Sequence, residues 1–269
     1  MDGFWRSLVL FGAPIFVGVL NLAHPMVMVP VYQGIAHQIN WWLALHFLNL
    51  VGFPLVGLAA FILVKNVKNR AARLSKIGIA VFIPIYAALD ALAGIGTGTL
   101  VQAVGRHVLN SAQSLEPVVD AYWGSGSVAL VAIVGSIAWT IAMLAAAVAL
   151  TEPDRRRLVA ALAIAVFFGS GLARSTMMAP DGSNIQPGWW MVVLAMALVM
   201  YFSGRPGLPA ALLTLAGTLF AASHVAPTGP LAMACFLAAA IVVDKRKWDG
   251  SVLDGEEPPE SQPPGTRLQ

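Results

Sequence analysis

The chemistry open to this chain rests on two ionisable side chains set inside apolar sequence, His46 and Asp90. Histidine changes charge nearest neutral pH, and a carboxylate beside it fixes the ring tautomer and favours its protonated form. Such a pair can accept, hold or pass a proton, or bind a polar ligand. Asp90 is the only acid, and His46 the only histidine, well inside an apolar run. An ionisable group at mid-bilayer costs about 2.5–3.5 kcal/mol on insertion scales, so it normally faces the interior of a helix bundle and has a partner. Asn49 lies three residues after His46, and Tyr86 lies four before Asp90, with Gly94 four after it. On helices these spacings put each set on one face. His46, Asp90, Asn49 and Tyr86 are therefore the candidate ligand- or proton-binding residues. The alternative reading of the same residues is a polar tie between two helices with no ligand.

The surrounding sequence must supply those helices. Of 269 residues, 58% are hydrophobic and only 11% charged, and mean hydropathy is +0.76. A soluble domain carries about 25% charged residues to wet its surface, so lipid must solvate most of this chain. A hydrocarbon core of about 30 Å takes roughly 20 apolar residues as a helix. Eight segments approach that length: 7–22, 40–64, 77–97, 125–150, 158–175, 188–202, 207–223 and 231–243. The last three are short, and if one is re-entrant the number is seven. The expected fold is an all-α polytopic transmembrane helical bundle over residues 1–248. Residues 249–269, rich in Pro, Glu and Gly, bury too little to fold and form a disordered cytoplasmic tail.

Positive charge sets the orientation. Arg6, the cluster Lys65, Lys68, Arg70, Arg73 and Lys76, the run Arg155–Arg157, Arg205 and the run 245–247 all fall on one side if the spans alternate. Only Arg106 and Arg174 fall on the other. Basic loops stay in the cytoplasm, so both termini are expected there. A bacterial cytoplasmic membrane is the expected location. Trp41, Trp42, Trp123, Trp189 and Trp190 flank outer ends, and Trp5 and Trp248 inner ends, as in an interfacial aromatic belt. Trp139 falls mid-span and reads as packing.

In this frame His46 lies six residues below Asn40 and Asp90 seven before Thr97. At 1.5 Å per residue both sit roughly 9–11 Å beneath the outer surface. Their helices are consecutive and antiparallel, so a hydrogen bond between them is expected. Outside, Leu100, Val104 and Val108 recur every four residues, with Gln102, Arg106 and Asn110 on another face. That pattern predicts an interfacial helix or a lid over the bundle. Arg174, near the outer end of the fifth span, is expected to snorkel to the interface or to pair with Asp181. All five histidines (His24, His37, His46, His107 and His224) fall on the outer side, which keeps a metal- or haem-dependent enzyme or redox subunit as an alternative.

Other chemistries find no support. The single cysteine, Cys235, permits no intramolecular disulfide and no multi-cysteine metal site. Gly94, Gly96 and Gly98 end a membrane helix and follow no strand, so they are not a dinucleotide loop. His224 has Phe220 and Thr228 four residues to either side, so the paired H-x-x-x-H of intramembrane metal hydrolases is missing. The pI of 9.2 reflects loop clusters and not a nucleic-acid surface. The functional expectation is an outward-facing polar pocket that binds or conducts a small solute or proton. The alternatives are an accessory subunit packed on a partner membrane subunit, and the metal or haem protein. The bilayer is the one partner all three share.

Overall fold

The computed structural model describes residues 3–25, 31–107, 111–177, 185–222 and 227–248, with backbone alone at 105–107, 111–114, 170–177, 185–191, 193 and 246–248. It is 89% helix, with no strand among the described residues. In lipid nothing but the segment itself can satisfy its backbone N–H and C=O groups, so apolar runs of this length become helices. The chain order is α1 (Gly3–Ser7), a π-helical turn π1 (Leu8–Gly12), α2 (Ala13–Leu22), α3 (Val31–Ala36), α4 (Ile39–Val64) and α5 (Arg70–Leu89). A second π-helical segment, π2 (Asp90–Gly96), leads into α6 (Thr97–His107) and then α7 (Ser111–Gly124). The remainder are α8 (Ser127–Ala149), α9 (Arg156–Met177), α10 (Ile185–Phe202), α11 (Gly207–Ala222) and α12 (Thr228–Trp248).

Among the described residues five helices are long and apolar enough to cross a membrane: Gly3–Leu22, Ile39–Val64, Arg70–Val104, Ser127–Ala149 and Thr228–Lys245, with Gly207–Ala222 a shorter apolar helix. The third is longer than the 77–97 expected from hydropathy. It begins in the basic loop, where the Asn69 side chain accepts from Ala72 N–H at 2.8 Å, and runs beyond the apolar stretch through π2 into α6. The tail at 249–269, the expected Arg174–Asp181 pair, and the side chains of His107 and His224 lie outside the described residues.

Successive contacts α2–α4, α4–α5, α5–α8, α8–α11, α11–α12 and α12–α2 close a ring, and the α9–α10 pair packs outside it against α11 and α8. At its centre Phe53, Phe82, Tyr86, Trp139, Phe220 and Phe236 form an aromatic core, with Trp139 and Phe82 centroids 4.8 Å apart. Trp139 is packing, as its mid-span position suggests, and its indole N–H donates to Ala216 O at 3.2 Å. Small residues let helices approach closely. A Cβ on Gly78 would stand 2.8 Å from Ala138 O, and one on Gly135 2.6 Å from the Tyr86 ring. Facing outward, Phe47, Val51, Leu58 and Phe61 on α4 and Leu130, Ile133, Ile137 and Ile141 on α8 are exposed. In water such stripes would be large apolar patches; against acyl chains they are the natural surface.

Polar ties hold the basic end. Arg6 pairs with Asp244 at 2.5 Å, and Asn69 Nδ2 donates to Ala149 O at 3.0 Å. Gly204 has φ of 68°, and a Cβ there would lie 2.6 Å from the Glu152 carboxylate. At the other end α3, α6 and α7 form a cap with its own core of Tyr32, Ile35, Trp42, Val101, Leu115 and Val119. Tyr32 N–H donates to Asp120 Oδ1 at 3.2 Å, Gln33 Nε2 to Glu116 Oε1 at 3.1 Å, and Gln102 Nε2 to Asn40 Oδ1 at 3.2 Å. A cap was expected over this loop, but its apolar face is Val101 and Val104, while Leu100 is exposed. Val101 and Val104, three residues apart, share the face turned to the cap core, so a strict four-residue repeat from Leu100 misplaces it.

Candidate functional site

The site lies where α2, α4 and π2 meet beneath the cap. His46 Nδ1 and Asp90 Oδ1 are 2.7 Å apart, and both side chains are buried. The matched depth of the two residues therefore becomes a direct hydrogen bond. With Asp90 as a carboxylate, Nδ1–H donates to Oδ1 and the lone pair sits on Nε2. Neither His46 Nε2 nor Asp90 Oδ2 has a hydrogen-bond partner among the described residues.

Two features of π2 build this geometry. Gly94, one turn beyond Asp90, leaves room for the imidazole: a Cβ there would overlap His46 Cγ and Nδ1. The Gly94 carbonyl accepts from Trp42 Nε1 at 2.8 Å, one turn above His46 on α4. The Trp42 ring then lies 4.3 Å from the imidazole, centroid to centroid. π-Helical turns are rare and recur at functional sites, where they re-aim side chains.

The other flank of His46 is the end of α2. The His24 ring stands edge-on to it at 5.2 Å and to Trp42 at 5.7 Å. Its Nδ1–H donates to Pro25 O at 2.9 Å. Burial first, and then the neighbouring His46, hold His24 down to about 4 despite that bond. His37, by contrast, is exposed.

Asn49 and Asn21 complete the group. A Cβ on Gly52 would touch Val17 at 2.8 Å, and His24 meets His46, so α2 and α4 run antiparallel with a known register. That register sets Asn21 level with Leu48 and Asn49. Leu48 is exposed, and Asn49 is the buried one. Asn21 is 0% and Asn49 1% exposed, yet among the described residues Asn49 Oδ1 and both polar atoms of Asn21 lack partners. Most buried polar atoms are paired, so a concentration of unpaired ones calls for an explanation.

Tyr86 departs from the expected grouping. It lies one turn below Asp90, but its hydroxyl is 3.0 Å from Ser136 Oγ on α8, and its ring packs on Phe53 at 4.6 Å. It belongs to the aromatic core beneath the site. Trp42 also departs: it is 1% exposed, a wall of the site and not a belt residue. Trp41 is the exposed one, its N–H donating to Ala23 O at 3.0 Å. Asn21, His24 and Trp42 were missed as site residues. The available signal was an asparagine within the first apolar run and a histidine at its outer end.

Among the described residues no group of three His, Cys, Asp or Glu side chains is placed to hold a metal ion. A cleft of about 270 Å³ on the opposite face of π2, lined by Leu92, Gly96, Leu100 and Val118, is apolar and separate from the dyad. The chain matches no protein family, no curated protein and no solved structure.

Proposed function

We propose that this is a polytopic membrane protein whose outward-facing polar pocket, centred on His46 and Asp90, binds or conducts a small solute or a proton. The observation that carries the reading is the dyad itself: a buried His–Asp hydrogen bond whose second nitrogen and second oxygen have no partner among the described residues. A tie that served only packing would be expected to satisfy those atoms, since each unpaired one costs about 1–3 kcal/mol. The proposed setting is eight spans with both termini in the cytoplasm. It takes α9, α10 and α11 as spans beside the five long apolar helices, and rests on the basic loops at one end. That arrangement puts the cap and the dyad at the outer face.

The test is side-specific labelling. With Cys235→Ala and Asn49→Cys in proteoliposomes of known orientation, a small cationic thiol reagent added at the cap side should label residue 49. The same reagent confined to the basic-loop side should not. Protection from both sides, or reaction from the basic-loop side alone, would sink the outward-facing pocket.

A further inference from the structure

Resting on that reading, we infer that the occupant of the site is a small monocation with N–H donors, ammonium or a primary ammonium group, held by Asn21, His46, Asn49 and Asp90. Each of these side chains is at least nine-tenths buried, and each presents at least one polar atom with no partner among the described residues. His24 and Asp90 flank His46 from α2 and π2. Asn21 lies one turn below His24, and Asn49 one turn below His46. The four residues therefore lie on adjoining turns where α2 and π2 meet α4.

Their chemistry is lopsided. Asn21 Oδ1, Asn49 Oδ1 and Asp90 Oδ2 are acceptors, and His46 Nε2 joins them once Nδ1–H is committed to Asp90. Asn21 Nδ2 is the one unpartnered donor among the four residues. An occupant that satisfies such a set must be rich in donors, and an ammonium group offers up to four N–H bonds. One carboxylate balances one positive charge, and a buried charge needs that balance. Trp42, packed on the imidazole, adds an aromatic ring whose faces attract cations. Hard alkali and alkaline-earth ions prefer all-oxygen shells and would leave the imidazole lone pair unused. Small neutral solutes would leave the Asp90 charge unbalanced.

The experiment uses the full chain in lipid nanodiscs at constant pH and ionic strength, with ammonium chloride replacing sodium chloride. Binding to the folded state alone raises the unfolding midpoint in a saturable way. Ammonium and methylammonium should do so; sodium and tetramethylammonium, which have no N–H, should not. Asp90→Asn should weaken the half-saturating concentration by about tenfold or more, the scale of one charge-assisted hydrogen bond. Asn21→Leu, which leaves the dyad intact, guards against misfolding of the first variant and should also weaken it. A shift equal for sodium and ammonium, or no saturable shift, overturns the proposal. If residue 49 is nonetheless labelled from the cap side, the pocket stands and only the amine reading falls. If it is not labelled, both fall.

Discussion

Replacing Gly94 by alanine tests the site at its tightest contact. In an ordinary helix the change is favourable, by about 0.5–1 kcal/mol, because glycine loses more backbone entropy on folding. Here the new methyl would overlap the His46 imidazole, so the ring must leave its place. Overpacking in a filled interior costs about 1–3 kcal/mol. Parting Nδ1 from Oδ1 strands a buried carboxylate, which costs about 1–3 kcal/mol more. The net expectation is a loss of about 1–5 kcal/mol in a variant whose intrinsic propensity points the other way. Gly96→Ala, two residues along the same π turn, is the control. Its Cβ would meet only Ala91 O at 3.4 Å, so stability should hold or rise by up to about 1 kcal/mol. Reversible unfolding in mixed micelles would measure both, and the penalty at residue 94 should largely vanish in a His46→Ala background. Equal stabilities for the two alanine variants would refute the claimed packing of His46 on π2.

Asp90→Ala and His46→Ala should each destabilise by about 1–3 kcal/mol, with the double variant losing less than their sum; full additivity would mean the two do not act as a unit. His24 titrates near 4 in the folded chain and near 6.5 unfolded, so its contribution to stability is level above pH 6.5. As pH falls from there toward 4 the unfolded chain takes up the proton first, and stability drops by up to about 1.4 kcal/mol per pH unit. His24→Gln should flatten that part of the profile, and an unchanged slope would count against its burial. In a Cys235-free background, cysteines at Lys68 and Asp154 should react only from the cytoplasmic side and one at Ser125 only from outside; any reversal rejects the eight-span arrangement.

Much of the bundle can be read from composition, because lipid leaves a long apolar run no alternative to helix. Depth is equally legible: counting residues from the ends of two antiparallel helices brought His46 and Asp90 to one level. What the count cannot give is azimuth. In helices apolar on every side, nothing tells a lipid-facing residue from one facing a neighbour. Trp41 and Trp42 show the difficulty, since consecutive residues point about 100° apart and only one can lie in the belt. The same ambiguity hid Asn21, whose face is set by how α2 crosses α4. π2 also escaped notice, because no proline marks it and its effect is a phase shift among residues that remain apolar.

π2 holds one residue more than α-helical winding would need. Were that surplus taken up elsewhere, α6 would turn by about 100° and move about 1.5 Å relative to α5. Val101 would swing out of the cap core, and the Gly94 carbonyl would leave the Trp42 indole. The cap and the His46–Asp90 pair are therefore geared to one another through a single helical defect, and unwinding π2 would move Val101 and the surroundings of Asp90 together.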